Sequence, residues 1–251
     1  MPHITLPDIF PYLLAILGLL LLWQLHDIQV RAGRIKVASA IDRSGIRWFL
    51  HVTPMESHAC AICRSANGMA FLPNIVAAKK FRPSAQMCTN AAGCRCLLVG
   101  LTGAWPEAER TLAQLKAGGG RIRLAPEQLD KLLAEAQGKG ATLAADQVSV
   151  NMLVAMQSEG SQPQAAIDAY RLVLDQAKKE RDLPLLVPAY LRLADLLERA
   201  GKHADALAVA DRFLSTYTNK PGMPQPAHAP TEDQRTFMSL RKTRLMTFAR
   251  G

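Results

Sequence analysis

The chain has 251 residues, of which 49% are hydrophobic, so it is long and apolar enough for one or two domains with a core. Its formal net charge of +9 raises the possibility that it binds nucleic acid. Aromatic residues are only 6% of the chain, and no stacking or helix-turn-helix pattern accompanies the charge, so the sequence argues against a nucleic-acid partner.

The N-terminal region contains a nearly uncharged apolar run, IFPYLLAILGLLLLWQL, at residues 9–25. One bilayer-spanning helix needs roughly 17 to 25 such residues. A secretory signal peptide would have a basic start, a shorter apolar core and a small-residue cleavage site, and this sequence has none of the three. A buried core helix usually keeps a polar face, which the run lacks. We therefore predict a transmembrane anchor over residues 1–30.

Basic residues after the apolar run predict the orientation of the anchor. The first eight residues contain no Lys or Arg, whereas residues 31–50 form a basic juxtamembrane segment. By the positive-inside rule, the N-terminus is outside and the C-terminal part is cytoplasmic. We expect a single-pass protein of the inner or cytoplasmic membrane. We also expect anionic lipid near Arg31, Arg34 and Lys36, where each charge is worth about 1 kcal/mol.

All five cysteines lie within one short segment, between residues 60 and 96. The cytoplasm keeps thiols reduced, so clustered cysteines there favour metal ligands or catalytic thiols over disulfides. A C-x-x-C pair lets two sulfurs converge on one zinc ion. We predict a Cys-rich module, residues 51–104, with a structural zinc site whose candidate ligands are Cys60, Cys63, Cys88, Cys94 and Cys96. Five thiols exceed four ligand positions, so one is spare, or His58 is a ligand and two are spare.

A turn signal follows the first cysteine pair. Asn67-Gly68 is a preferred pair for a two-residue hairpin turn, and residues 69–72 are a short candidate second strand. This pattern predicts a zinc-knuckle or hairpin module. Such a small segment has few large apolar residues, so it needs a metal or a similar staple to hold its fold.

Two other uses of the cysteines remain open. A thiol-disulfide redox motif at Cys60 and Cys63 would be expected at a helix N-terminus, within a strand-helix pattern. The sequence places an Asn-Gly turn after the pair instead. An iron-sulfur cluster is the second alternative.

The cysteine pattern resembles the C-terminal motif of the phage minor head (Mu F-like) protein family. In that motif, C-x-x-C and a small-residue-glycine turn precede an ending H-P-N-C-R-C. Here Cys88 stands in the place of the histidine, with three extra residues before Cys94-Arg95-Cys96. The resemblance covers fewer than fifty residues. It implies a compact metal-binding or cysteine-clasp module.

Residues 105–220 have helical spacing and contain an approximate internal repeat. The stretch from Gly160 aligns with the stretch from Gly201, and each copy has an alanine five residues later. This resembles the tetratricopeptide pattern, with glycine at the tight turn between two helices and alanine where they pack closely. The two copies lie further apart than the usual period of about 34 residues. The resemblance implies a helical-repeat domain that binds a protein partner.

The last segment, residues 221–251, begins with a Pro/His linker and then a capping-box start at Thr231. The helix that follows has a partly apolar and partly basic face. It either caps the repeat array or lies on the membrane surface.

The sequence contains no HExxH, dinucleotide, kinase or Gly-x-Ser-x-Gly motif. We therefore rank an enzyme second. We predict a mainly α protein with one transmembrane helix, a Cys-rich zinc module and tetratricopeptide-like repeats. Its expected function is that of a membrane-anchored cytoplasmic adaptor. The alternatives are a C-x-x-C thiol-disulfide oxidoreductase and an accessory subunit of a membrane complex.

The set of predicted parts is similar to a bacterial envelope regulator family. Its members join an N-terminal span, tetratricopeptide repeats and a rubredoxin-like four-cysteine module. In this chain the cysteines precede the repeats, so the order differs.

Overall fold

The chain folds mainly into helices. The computed structural model describes residues 6–54, 59–78, 81, 88–89, 94–103, 105–138, 145–218 and 228–248, with only the helical backbone described at 6–13, 34, 36 and 37. Within these ranges it has ten α-helices and one four-stranded sheet. The prediction of a mainly α protein is confirmed at this level.

The first helix, α1 (Leu6–Ser44), is long and apolar. Its 39 residues span about 58 Å at 1.5 Å per residue, against roughly 30 Å for the hydrocarbon core of a bilayer. It is long and apolar enough to cross a membrane, and its most apolar window is not buried in the rest of the protein. The helix also continues without a break through most of the predicted juxtamembrane segment.

A small antiparallel sheet follows α1. Its strands are β1 (Trp48–Val52), β2 (Met69–Phe71), β3 (Leu97–Leu101) and β4 (Arg121–Arg123), in the order β3-β1-β2-β4. β1 is buried along its whole length and pairs with a strand on each side. Its first and last residues lie opposite Leu101 and Leu97 of β3. β4 lies outside the predicted Cys-rich module, which ends at residue 104, so the sheet extends beyond that module.

Short helices connect the strands and pack beside the sheet. They are α2 (Ala61–Ala66), α3 (Pro73–Val76), α4 (Pro106–Ala117) and α5 (Pro126–Gly138). The predicted hairpin around Asn67-Gly68 does not form, because the residues before the turn make α2. Gly68 has a φ of 75° and joins α2 to β2. Its N–H donates to the His51 carbonyl, and its carbonyl accepts from Leu124 N, both at 3.0 Å.

Two helix pairs make up the next part of the chain. The first pair is α6 (Gln147–Ser158) and α7 (Pro163–Gln176); the second is α8 (Leu186–Arg199) and α9 (His203–Thr216), preceded by a 3-10 turn at Leu183–Leu185. Gly201 makes the α8–α9 turn with a φ of 71°. Gly160, its counterpart in the predicted repeat, does not have a positive φ, so the two turns differ.

The last helix, α10 (Glu232–Phe248), packs against α9. Its fully buried apolar side chains are Met238 and Leu245. The helix therefore packs on the helical array, which is one of the two positions that the sequence allows for it, the other being the membrane surface. The preceding linker lies largely outside the described residues.

The sheet and the helix pairs share one continuous core. Asp146, at the start of α6, connects them with a 1% exposed side chain. Its carboxylate accepts hydrogen bonds from Thr102 N at 2.9 Å, Thr102 Oγ1 at 2.6 Å and Gly103 N at 3.1 Å. One charged side chain thus fixes the end of β3 against the start of the helix array.

Candidate metal centre

All five cysteine sulfurs converge on one place beside the sheet. The Sγ atom of Cys63 lies 3.6 Å from that of Cys88, 3.7 Å from that of Cys94 and 3.4 Å from that of Cys96. The Cys60 and Cys88 sulfurs are 3.7 Å apart. The structure therefore brings together every cysteine that the sequence singled out. The other candidate ligand, His58, lies outside the described residues.

Local hydrogen bonds position the first cysteine pair. Cys60 is the N-cap of α2, and its sulfur accepts from Cys63 N at 3.3 Å. The Cys63 carbonyl accepts from the buried Thr53 hydroxyl at 2.8 Å. Thr53 N in turn donates to the side-chain carbonyl of Asn67 at 2.9 Å. The end of β1 thus holds α2 so that Cys63, 3% exposed, points into the cluster.

The sulfur spacing fits a thiolate-bound metal ion. With zinc-sulfur bonds of about 2.3 Å, two sulfurs in a tetrahedral site lie about 3.8 Å apart. The closest sulfur pairs here are 3.4–3.7 Å apart. The cysteines form two groups of three whose sulfurs all lie within 4.8 Å of one another, and Cys63 belongs to both groups. The cluster can therefore hold a metal ion.

The thiols differ in how easily they lose a proton. Backbone N–H hydrogen bonds from Cys63 and Thr89 lower the pKa of Cys60 to about 6, because they stabilise the thiolate. Burial raises the pKa of Cys63. Burial, together with Cys96, raises the pKa of Cys94 to about 12. A bound cation would oppose both increases, because thiols bind metal as thiolates.

Cys60 occupies a position that the sequence did not predict for it. The Asn-Gly turn suggested a hairpin, but the cysteine pair lies at the N-terminus of α2. An Asn-Gly turn can follow either a strand or a short helix such as α2. The local pattern therefore does not distinguish a hairpin from a helix. Helix N-termini stabilise thiolate, which suits metal binding and thiol chemistry alike.

An arginine between two of the cysteines connects the cluster to the helix array. Arg95 donates to Asp195 of α8 at 2.8 Å. The same carboxylate accepts from Arg241 of α10 at 2.9 Å and pairs with Arg199 at 2.9 Å. The sequence does not indicate this network, because nothing local shows which acid an arginine reaches 100 residues away.

No protein-family model, curated protein or solved structure matches this chain. The interpretation of the cysteine cluster therefore depends on its geometry and chemistry.

Proposed function

We propose that the protein is a membrane-anchored cytoplasmic adaptor. In this proposal α1 crosses the membrane, a structural zinc site stabilises the cysteine module, and tetratricopeptide-like helix pairs bind a protein partner. The main observation that supports this proposal is that the chain consists of an apolar helix, which the rest of the protein does not bury, and a packed body of paired helices.

The metal part of the proposal is supported by the convergence of five thiols. Their sulfur spacing suits zinc. Between Val76 and Leu97 the described residues contain no strand or helix. A metal would supply folding free energy to such a segment. Thiolate sulfur also suits iron and copper. Zinc is the metal to test first, because the sulfur spacing matches a tetrahedral zinc site.

The adaptor part is supported by how the helix pairs are built. Their cores are continuous with the sheet, and α10 covers the last pair as the terminal helix of a stacked array should. Leu172 of α7 is a large apolar side chain, 44% exposed, that the array leaves open to a partner.

Co-purification of the full chain from membranes in mild detergent tests partner binding. We expect a protein to co-purify with the wild type and to be lost with Leu172→Glu. Lys116→Glu is the matched control, because Lys116 is an exposed residue on α4, outside the helix pairs. A wild-type chain that purifies alone, or a partner that both variants retain, would contradict the adaptor proposal.

Thiol-disulfide exchange is the second candidate function, favoured by the position of Cys60 at the N-cap of α2. In that reaction the Cys60 thiolate attacks a substrate disulfide, and the first substrate sulfur leaves as a thiolate. Cys63 then loses its proton and attacks Cys60, which releases the second substrate thiolate and leaves a Cys60–Cys63 disulfide.

The variant Cys60→Ser separates the two functions. If Cys60 is a zinc ligand, the variant loses metal affinity and stability. If Cys60 is a redox nucleophile, the variant keeps its fold and loses the ability to reduce a peptide disulfide. Reduction assays and zinc content on the same full-length sample distinguish these outcomes.

A further inference from the structure

We propose that the cysteine cluster holds two zinc ions, bridged by the Cys63 thiolate. This inference rests on the proposed zinc site and specifies its stoichiometry. In this arrangement Cys60 and Cys88 bind the first ion, Cys94 and Cys96 bind the second, and Cys63 binds both.

The five sulfurs fall into two groups that share one member. Cys60, Cys63 and Cys88 form one set with all sulfurs within 4.8 Å of one another; Cys63, Cys94 and Cys96 form the other. A single four-thiolate site needs six sulfur-sulfur distances of about 3.8 Å. Among the described residues, the groups that meet even the 4.8 Å limit are these two sets of three. Two ions can each bind one set of three sulfurs without a rearrangement, whereas one ion with four thiolate ligands requires the sulfurs to move.

Cys63 lies at the centre of the cluster. Its sulfur contacts those of Cys88, Cys94 and Cys96 at 3.4–3.7 Å. It is also the buried member of the cluster, at 3% exposure, while the other four cysteines are partly exposed. A thiolate has more than one lone pair, so it can bind two cations. The cysteine positioned between both groups is thus the one that lies deepest.

Two zinc ions balance the charge of five thiolates better than one ion does. One zinc ion with four thiolates carries a formal charge of −2 and leaves the fifth thiol without a role. Two zinc ions with five thiolates carry −1. Because uncompensated charge is costly at a partly buried site, the two-ion cluster is electrostatically the better match for five converging thiols.

Each ion in this cluster keeps one coordination position for a solvent molecule. Three thiolates fill three of the four positions that zinc prefers, and a water molecule completes each tetrahedron, so each ion has one protein ligand fewer than a usual structural zinc site. The partial exposure of Cys60, Cys88, Cys94 and Cys96 gives water access to the cluster.

Native mass spectrometry of the full chain, loaded with zinc in detergent, tests the stoichiometry. We expect two zinc ions per chain in the wild type. Cys88→Ser and Cys94→Ser should each retain one ion, because each removes a ligand of one ion alone. Cys63→Ser should lose tight binding of both. Ser65→Ala is the matched control, since Ser65 is an exposed residue of α2 outside the cluster, and it should retain two.

Cadmium NMR on the wild-type chain provides a test that needs no variant to fold. Two cadmium resonances that couple to each other through a shared sulfur are expected. One metal ion per chain, or one resonance, would overturn the bridged cluster and leave the proposed zinc site intact. A chain that binds no zinc would overturn both.

Discussion

Glu159 is a buried carboxylate where α6, α7 and α8 meet. Its side chain is hydrogen-bonded by Tyr170 and, at 2.7 Å, by the Arg192 guanidinium. All three residues are at most 6% exposed. Burial raises the pKa of Tyr170 well above its usual range, so this hydroxyl stays protonated and donates to the carboxylate. The three side chains form a polar network inside the core.

We predict that Glu159→Gln lowers the free energy of unfolding by about 3–5 kcal/mol, because Arg192 loses its buried counter-charge. Urea unfolding of the full chain in detergent, followed by circular dichroism, measures the effect. Asp168→Asn is the control, since Asp168 pairs with Arg171 on the surface, where such pairs contribute about 0–1 kcal/mol. Equal losses in the two variants would show that the buried network is not a special source of stability.

Asp195 makes stability depend on pH. Burial alone would raise its pKa, but the hydrogen bond from Arg95 and the charges of Arg95, Arg199 and Arg241 outweigh burial and lower it. A carboxyl whose folded pKa is depressed stabilises the fold above its unfolded pKa of about 3.9. This contribution is lost as the pH falls through the folded pKa.

We therefore expect Asp195→Asn to be less stable than the wild type by a constant amount above about pH 4, the region of the unfolded pKa. The difference should shrink as the solution becomes more acidic. Unfolding free energies measured across this range check the prediction. A difference that grows toward low pH would mean that the arginines do not stabilise the Asp195 charge.

At the scale of elements, Asp146 joins the sheet to the helix pairs through three hydrogen bonds. We predict that Asp146→Ala costs about 1–3 kcal/mol for each donor left buried without a partner. Hydrogen exchange should show faster opening at the end of β3 and the start of α6. Asp146→Asn, which keeps one acceptor oxygen, should lose less. Identical exchange in wild type and Asp146→Ala would argue against this connection.

The α10 helix offers a matched pair of substitutions that tests its position. Met238 is fully buried against the array, whereas Leu240 is 66% exposed. Met238→Ala should lower the free energy of unfolding by about 2–5 kcal/mol, and Leu240→Ala should change it by less than about 0.5 kcal/mol. Thermal or urea unfolding provides the comparison. The opposite order would indicate that α10 lies on the membrane through its exposed apolar face.

Elements with a strong local signal could be predicted from the sequence. Helices α4 and α5 each begin at a proline, Pro106 and Pro126, and α4 ends at Gly118, the first of three consecutive glycines; both are local signals in the sequence. In contrast, β4 consists of Arg121-Ile122-Arg123, three residues with no strand pattern of their own. β4 forms because it can pair with the free edge of β2, and Gly118-Gly119-Gly120 turn the chain back toward that edge. Tertiary pairing of this kind lies beyond local propensity.

The candidate site could likewise be predicted from the sequence only in part. Cysteine spacing predicted which residues would come together, since clustered thiols in a reducing compartment suggest metal ligands. It could not predict the grouping around Cys63, because that grouping depends on how β1, α2 and β3 hold the loops. Nor could it predict that Arg95 reaches Asp195, a contact set by the packing of the sheet on the array.

For the whole molecule, the proposed membrane anchor would determine where the folded body lies. If about 20 residues from Ile9 onward fill the bilayer, about 24 Å of α1 remains on the side of the sheet. This segment joins the sheet through the short link between Ser44 and Trp48. In the proposed membrane-anchored arrangement, this segment would connect the bilayer to the cysteine module and the helix array, and it also packs against α3.

Membrane integration and sidedness form the most direct test of this account. The measurement is carbonate extraction of bacterial membranes that contain the full chain, combined with protease treatment of intact and permeabilised spheroplasts. We expect the chain to stay in the membrane pellet, with its body resistant to protease in intact spheroplasts and digested after permeabilisation. Release by carbonate, or digestion of the body in intact spheroplasts, would contradict the membrane-anchored cytoplasmic adaptor.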